Sequence, residues 1–237
     1  MRYEKVIVMP VYRRPGYTRA VLEGMKSCYG IEKYKIFIHA EPGFPEVIDA
    51  IDKISGLNKT LHINPMRLGC NRNVHASLDH GFKESDFVII LEDDVVPAKD
   101  FLEFMEWARD KYADDTDIMN VCGYNKETVD SSLFSTVYRT KWFTPWGWGT
   151  WQNRWTDMSA QWDHEGKRAS WDTTVNHFTR GERSEVRPRL GRTQNIGAEL
   201  GSWVPSKEWH TENQLNTFWA GSCNVSSNQI YIEKNDN

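Results

Sequence analysis

From its amino end the chain alternates short apolar runs with stretches in which apolar residues recur every three or four positions. Val6-Ile7-Val8-Met9 is an unbroken apolar run ended by Pro10, the pattern of a strand buried on both faces. Over residues 15–29, Tyr17, Ala20, Val21 and Met25 recur at helical spacing, and Gly30 supplies the stop. The alternation continues with a strand at 36–38 closed by Glu41-Pro42-Gly43, a helix at 45–54 and a strand at 61–63. A helix at 71–82 follows, with Val74, Leu78 and Phe82 on one face, and then a strand at 87–91, the most apolar in the chain. Such alternation predicts an α/β fold with a doubly wound, mostly parallel, Rossmann-like sheet. Beyond it the pattern loosens. A helix over 101–112 and a strand near 120–122 precede a long stretch rich in Trp, Gly and Arg, within which 172–178 reads as one more helix. The polar residues 233–237 are expected to fray.

Ligands of a doubly wound sheet sit at the carboxyl ends of its strands, so the polar residues after each strand are the first candidates. Glu92-Asp93-Asp94 directly follows the strand at 87–91. Carboxylates at the end of a buried strand are costly unless a positive charge joins them. A divalent cation, Mn²⁺ or Mg²⁺, meets that cost with hard oxygen ligands and can bridge to a diphosphate. A helix cap or a solvated turn is the plainer reading of the same triplet. Pro10-Val11-Tyr12-Arg13-Arg14 and Glu41 share this sheet edge. There Glu41 could accept from a uracil N–H, and Arg13 or Arg14 could hold a phosphate or the base. Arg67, Asn71 and Arg72 follow the third strand, where they could reach donor phosphate or sugar, or cap the next helix.

Composition narrows the classes. At 237 residues the chain suffices for one α/β domain that needs no disulfide or structural metal to stay folded. A net charge of −4 offers no basic field, so nucleic acid and anionic membrane are not expected as partners. No signal peptide or long apolar run is visible, so no integral membrane segment is expected and the location expected is cytoplasmic. The four cysteines lack any CxxC pairing and read as free thiols of a reducing compartment. Most of the 11 Trp lie between Trp142 and Trp219, where they could stack on sugar rings or fill a core.

The ordered motifs resemble a known family. The first strand with Pro10–Arg14 is followed by Ile90-Leu91-Glu92-Asp93-Asp94-Val95-Val96-Pro97-Ala98-Lys99-Asp100-Phe101. Then come Val129-Asp130-Ser131-Ser132, Tyr138-Arg139-Thr140, Phe143 with Pro145, Gly147-Trp148, Trp155, Trp171-Asp172, Arg187-Pro188 and Arg192-Thr193. This order, over residues 5–215, resembles the GT-A fold of nucleotide-sugar glycosyltransferases, and within it the N-acetylglucosaminyltransferase I family. The resemblance implies one GT-A domain over 1–237, with a nucleotide-sugar-binding half (1–100) and an acceptor-binding half (101–237). It implies inverting transfer of a sugar, GlcNAc first, from a UDP-sugar to a glycan or other hydroxyl acceptor, with Mn²⁺. By position Asp94 would bind the metal, while Glu92 and Asp93 would contact donor sugar and ribose. Glu41 would stand where the family has an acid that reads uracil. Pro10, Arg13, Arg14, Arg67, Asn71 and Trp148 are counted with the donor site. Many GT-A enzymes bring a late His to the metal, which points to His210. The chain departs from the eukaryotic members in lacking their membrane anchor and carboxyl-terminal extension. Gly147-Trp148-Gly149-Thr150-Trp151 is also richer in Gly and Trp than their loop.

Direct displacement at an anomeric carbon needs a group that takes the acceptor's proton, across the sugar from the leaving diphosphate. That group should come from the second half, where Asp157, Asp163, Asp172, Glu199, Glu208 and Glu212 are the candidates. Family position selects Asp172, for which a plain helix N-cap is the alternative. Two other functions compete. A non-catalytic sugar-binding module would explain the Trp content but has no need of the acidic triplet. A nucleotidyltransferase would need a Gly-rich loop after the first strand, where this chain has Pro10–Pro15.

Overall fold

A computed structural model describes residues 5–181, 183–199, 204–216, 218–223 and 227–234. The first apolar run becomes β1 (Lys5–Val11), which runs through Pro10 instead of stopping there. Val8 O accepts from Leu91 N at 3.1 Å, so the even-numbered residues of β1 bond toward the strand at 87–90. That pairing ends at Val8–Ile90, and the missing N–H of Pro10 therefore falls where no ladder bond is due.

The predicted alternation then follows with α1 (Pro15–Lys26), β2 (Tyr34–Ala40), α2 (Pro45–Asp52), β3 (Lys59–Ile63), α3 (Cys70–Glu84) and β4 (Phe87–Ile90). Next come β5 (Val95–Pro97), α4 (Phe101–Tyr112), β6 (Ile118–Cys122), β7 (Thr136–Thr140) and β8 (Trp148–Trp151). The last are α5 (Gln152–Ser159), α6 (Trp171–Arg180), β9 (Ser184–Pro188), β10 (Thr193–Asn195), α7 (Lys207–Asn213) and β11 (Ile232–Glu233).

Nine strands form one sheet in the order β11-β7-β9-β6-β8-β4-β1-β2-β3. The first four strands of the chain are mutually parallel. β8 enters antiparallel between β4 and β6, and β7 lies antiparallel to β9, so the sheet is mixed in its second half. β8 escapes the hydrophobic pattern because it is short and carries Gly149. A side chain at Gly149 would meet the Phe87 ring at 2.7 Å, so the glycine is what lets the strand pack there.

Helices cover both faces, as a doubly wound sheet requires. Ile7, Met9 and Ile36 face α1, α2 and α4 in one core, while Val8, Val88 and Ile90 face α3, α5 and α6 in the other. Trp148, Trp155, Trp162 and Trp171 all lie in the second core, which settles the tryptophan question mainly in favour of packing. β5 and β10 form a separate antiparallel ribbon with Val95 opposite Asn195, and this ribbon ties the acidic triplet to the late part of the chain. No described helix is long and apolar enough to cross a membrane.

Candidate active site

Because β1–β4 run parallel, their carboxyl ends deliver Tyr12–Arg14, Glu41, Asn64 and Glu92–Asp94 to one edge. Asp93 and Asp94 are buried, and Arg14 is the cation that holds them. Its Nη1 donates to Asp94 Oδ2 at 2.6 Å, its Nη2 pairs with Asp93 Oδ1, and its Nε donates to Asp93 Oδ2 at 3.4 Å. The Tyr12 N–H adds a bond to Asp93 Oδ2 at 3.3 Å. Burial alone would lower the Arg14 pKa, but the charges of Asp93 and Asp94 outweigh it and raise it. Burial pushes Asp94 up to about 6, against the pull of Arg14 and with the push of Asp93. Burial and the charge of Asp94 hold Glu92 well above the usual carboxylate range. Three acids thus share one guanidinium, and hard oxygens carrying surplus negative charge are the donor set that suits Mg²⁺ or Mn²⁺.

Beside the acids, the Tyr12 ring stands 5.3 Å from the Arg13 guanidinium, 4.9 Å from that of Arg67 and edge-on to Phe44 at 4.9 Å. Arg13 and Arg67 are therefore gathered at the edge, as the sequence suggests. Glu41 is buried, and its position carries a correction. Its two oxygens accept from Leu68 N and Gly69 N, each at 2.8 Å, and so clamp the loop entering α3. Two charge-assisted bonds thus already occupy the carboxylate, which braces that loop.

Asn71 and Trp148 need plain corrections as donor contacts. Asn71 Nδ2 donates to Asp163 O at 2.7 Å and Ala169 O at 2.9 Å, and its Oδ1 accepts from Trp171 N at 3.1 Å. The amide is thereby spent on tying α3 to the start of α6. Trp148 is fully buried in β8, stacked on Trp171 with ring centroids 6.1 Å apart, so no donor can reach it. Pro10 is buried within β1.

Asp172 occupies the first turn of α6, whose N-cap is Ser170, so the plain N-cap reading of Asp172 does not hold. Among the described residues its half-buried carboxylate makes no hydrogen bond or ion pair. It lies close enough to Glu92 for the two charges to raise the Glu92 pKa. Cys70, at the start of α3, feels both. Crowding by surrounding protein atoms, then the charges of Glu92 and Asp172, push its thiol up to about 12, although the residue itself keeps exposed surface. Two of the rival bases are engaged elsewhere. Asp163 Oδ2 accepts from Arg168 N at 2.6 Å and Ala169 N at 3.0 Å, and Asp157 pairs with Arg183 at 2.9 Å.

His210 is buried on α7, but its Nε2 bonds Asn195 Oδ1 at 2.9 Å instead of meeting the acids. Among the described residues no three His, Cys, Asp or Glu side chains are grouped to hold a metal. The same Asn195 Oδ1 accepts from Gly197 N at 2.9 Å. Gly197 lies against Asp94, where a side chain would come within 2.8 Å of Asp94 Cγ and closer still to Oδ2. His210 thus buttresses the strand that packs on Asp94, a contact that β5–β10 pairing creates. Sequence reading missed Tyr12, Cys70, Asn195 and Gly197. Only Tyr12, within the Pro10–Arg14 motif, carried a local signal.

Comparison with known proteins bears on the fold and the family. An α-1,3-mannosyl-glycoprotein 2-β-N-acetylglucosaminyltransferase of Arabidopsis thaliana is 32% identical over 139 residues, 55% of this chain and 30% of that protein. Residues 1–349 of S. aureus TarS, solved with UDP-GlcNAc, superimpose with a TM-score of 0.60 at 11% identity, over 80% of this chain and 57% of that one. The mannosyltransferase PcManGT of Pyrobaculum calidifontis, solved with GDP-Man and Mn²⁺, gives 0.57 at 14% identity, over 79% and 55%. The chain therefore spans about a third of the length of the curated relative and little more than half of each solved one. The fold is that of the GT-A nucleotide-sugar glycosyltransferases. The GNT-I family pattern matches residues 69–207, more than half of the sequence and including both the acidic triplet and Asp172, and the chain belongs to the GNT-I family.

Proposed function

We propose that this protein is an inverting, metal-dependent glycosyltransferase that moves a sugar from a UDP-sugar to a hydroxyl of a glycan or other acceptor. The observation that carries the reading is an acidic triplet, two of its members buried and paired with one arginine, within charge-interaction range of Asp172, whose carboxylate has no partner among the described residues. In this reading residues 1–100 form the donor half and residues 101–237 the acceptor half. Asp94 would hold Mn²⁺ or Mg²⁺, whose charge offsets that developing on the departing diphosphate. Glu92 reaches the sugar, and the Tyr12, Arg13 and Arg67 group with the Glu41-clamped loop receives the nucleotide. Asp172 takes the proton of the acceptor hydroxyl as its oxygen bonds to the anomeric carbon and the bond to the diphosphate breaks, which inverts that carbon. UDP-GlcNAc is the first choice of donor, supported by the family and by the ligand of the TarS structure. A cytoplasmic setting belongs to the same proposal and is supported by the four free thiols.

The test is release of UDP from UDP-GlcNAc with Mn²⁺ and a panel of hydroxyl acceptors. Chelation of the metal and Asp94→Ala are each expected to abolish transfer, and Asp94→Ala to weaken UDP binding in Mn²⁺. Full activity in excess EDTA would overturn the proposal. A sugar-binding module would release no UDP, and a nucleotidyltransferase would release pyrophosphate.

A further inference from the structure

Arg14 is bound to an oxygen of the carboxylate that a metal on Asp94 would share. Asp94 Oδ2 accepts from Arg14 Nη1 at 2.6 Å, and Gly197 closes on that same oxygen from another side. Arg14 simultaneously pairs with Asp93, so its planar fork spans both carboxylates. The side chains of Arg14, Asp93 and Asp94 are 15%, 4% and 9% exposed, so solvent screens these charges little. A guanidinium and a divalent cation on one carboxylate repel each other in such surroundings, so each weakens the hold of the other.

We propose that Arg14 is a positioning residue that competes with the divalent cation for Asp94 and releases it when a nucleoside diphosphate offers phosphate oxygens to the guanidinium. A guanidinium fork suits phosphate as well as it suits carboxylate, so the exchange replaces one charge-assisted pair by another. The Tyr17 ring, 5.7 Å from the guanidinium carbon, flanks it in the carboxylate-bound position. The Tyr17 hydroxyl also accepts from Glu199 N at 3.1 Å, two residues beyond Gly197, so the segment packed on Asp94 touches the same support. Metal and nucleotide then bind cooperatively through Arg14, and each raises the affinity of the other by the same factor. This inference rests on the function proposed above and adds an order to it: metal binding alone is weak, and the nucleotide makes it tight.

The experiment is Mn²⁺ titration of the purified protein, followed by the electron paramagnetic resonance signal of free Mn²⁺, with and without UDP. Wild type is expected to bind Mn²⁺ about tenfold or more tightly with UDP than without it. R14Q, which removes the competitor, is expected to bind Mn²⁺ alone about tenfold more tightly than wild type and to show a smaller gain from UDP. R14K keeps the charge, but a single ammonium cannot span both carboxylates as the fork does, so its affinity for Mn²⁺ alone should lie between the two. Thermal unfolding without metal checks that both variants fold, and added Mn²⁺ should raise the melting temperature of R14Q more than that of wild type. Competition is overturned if wild type binds Mn²⁺ with UDP but both variants bind Mn²⁺ alone no more tightly than wild type. A loss of stability with unchanged metal affinity overturns it equally and leaves Arg14 a structural ion pair. If wild type takes up no Mn²⁺ even with UDP, the metal-dependent function itself falls, and this inference falls with it.

Discussion

Among the second-half carboxylates proposed as base, Asp172 combines a place within charge-interaction range of Glu92 with a side chain that has no partner among the described residues. Asp163 is consumed by its own loop and Asp157 by Arg183. Ser170, two residues earlier, occupies the N-cap position, so replacing the Asp172 carboxylate leaves the cap residue in place. Asp172→Asn is therefore expected to fold normally and to bind UDP-GlcNAc with Mn²⁺ as wild type does. Its turnover should fall by about 10²–10⁴-fold, the usual loss for a positioned base. Turnover within a few-fold of wild type would make Asp172 dispensable and turn attention to Glu199 and Glu212. At this scale the sequence was a partial guide. Glu92–Asp94 could be picked out because an apolar strand leads straight into three acids. Asp172 was picked out mainly by resemblance, since its one local cue, the preceding Trp171, turns out to be a core residue.

The link between elements that matters most to this residue is Asn71. It sits at the second residue of α3, yet its side chain bonds the loop at 163–169 and the first residue of α6. The Trp162 indole N–H returns a bond to Asn71 O at 3.0 Å. The geometry of α6, and with it Asp172, depends on this amide. Asn71→Ala would leave two carbonyls and an N–H unsatisfied in a largely buried place, a cost of roughly 2–4 kcal/mol. In a chain of this size that corresponds to a melting temperature lower by about 5–10 °C. Scanning calorimetry checks the first effect. Steady-state kinetics check the second, a fall in kcat larger than any rise in the KM for donor, because the donor side of the site stays in place. An unchanged melting temperature would show that the loop finds other partners. Sequence reading counted Asn71 with the donor because its chain position, just after the third strand, is correct for one. The bonds that redirect it join residues 92–100 positions apart, beyond the reach of local patterning.

At the scale of the whole molecule the sheet buries groups whose protonation bears on stability. His39 on β2, His62 on β3 and His80 on α3 cluster on one face, with His39 Nε2 3.0 Å from His80 Nδ1. Burial, then the charges of His80 and His62, lowers His39 from the ordinary 6.5 to about 4. His80 is lowered too, by burial first and then His62. The folded state thus refuses a proton that the unfolded chain accepts below 6.5. Its contribution is full above pH 6.5 and is lost as pH falls from 6.5 toward 4. Glu185 works in the opposite direction. Burial raises it from 4.5 to about 7 against the pull of Arg187, so its contribution is full below 4.5 and fades as pH rises toward 7. His39→Gln isolates the first effect, since Glu185 is common to both proteins. The stability of the variant relative to wild type should rise by up to about 3 kcal/mol as pH drops from 7 to 4. Paired urea titrations at several pH values measure it, and a difference that does not change with pH would refute the assignment.

By itself the sequence determined the α/β alternation of the first hundred residues, the parallel run of β1–β4 and the edge where the acids gather. These follow from local periodicity, and parallel strands must deliver their following residues to one edge. Only the tertiary structure decided that β8 threads antiparallel between β4 and β6, that most of the tryptophans beyond residue 146 serve the core, and that Asn71 and Glu41 brace loops. It alone also set Arg14 across two acids some 80 residues away, and bonded His210 to Asn195. Each of these outcomes is a choice among polar partners that distant segments bring together. The hydrophobic pattern dictates which faces are buried, but leaves open which buried polar group meets which.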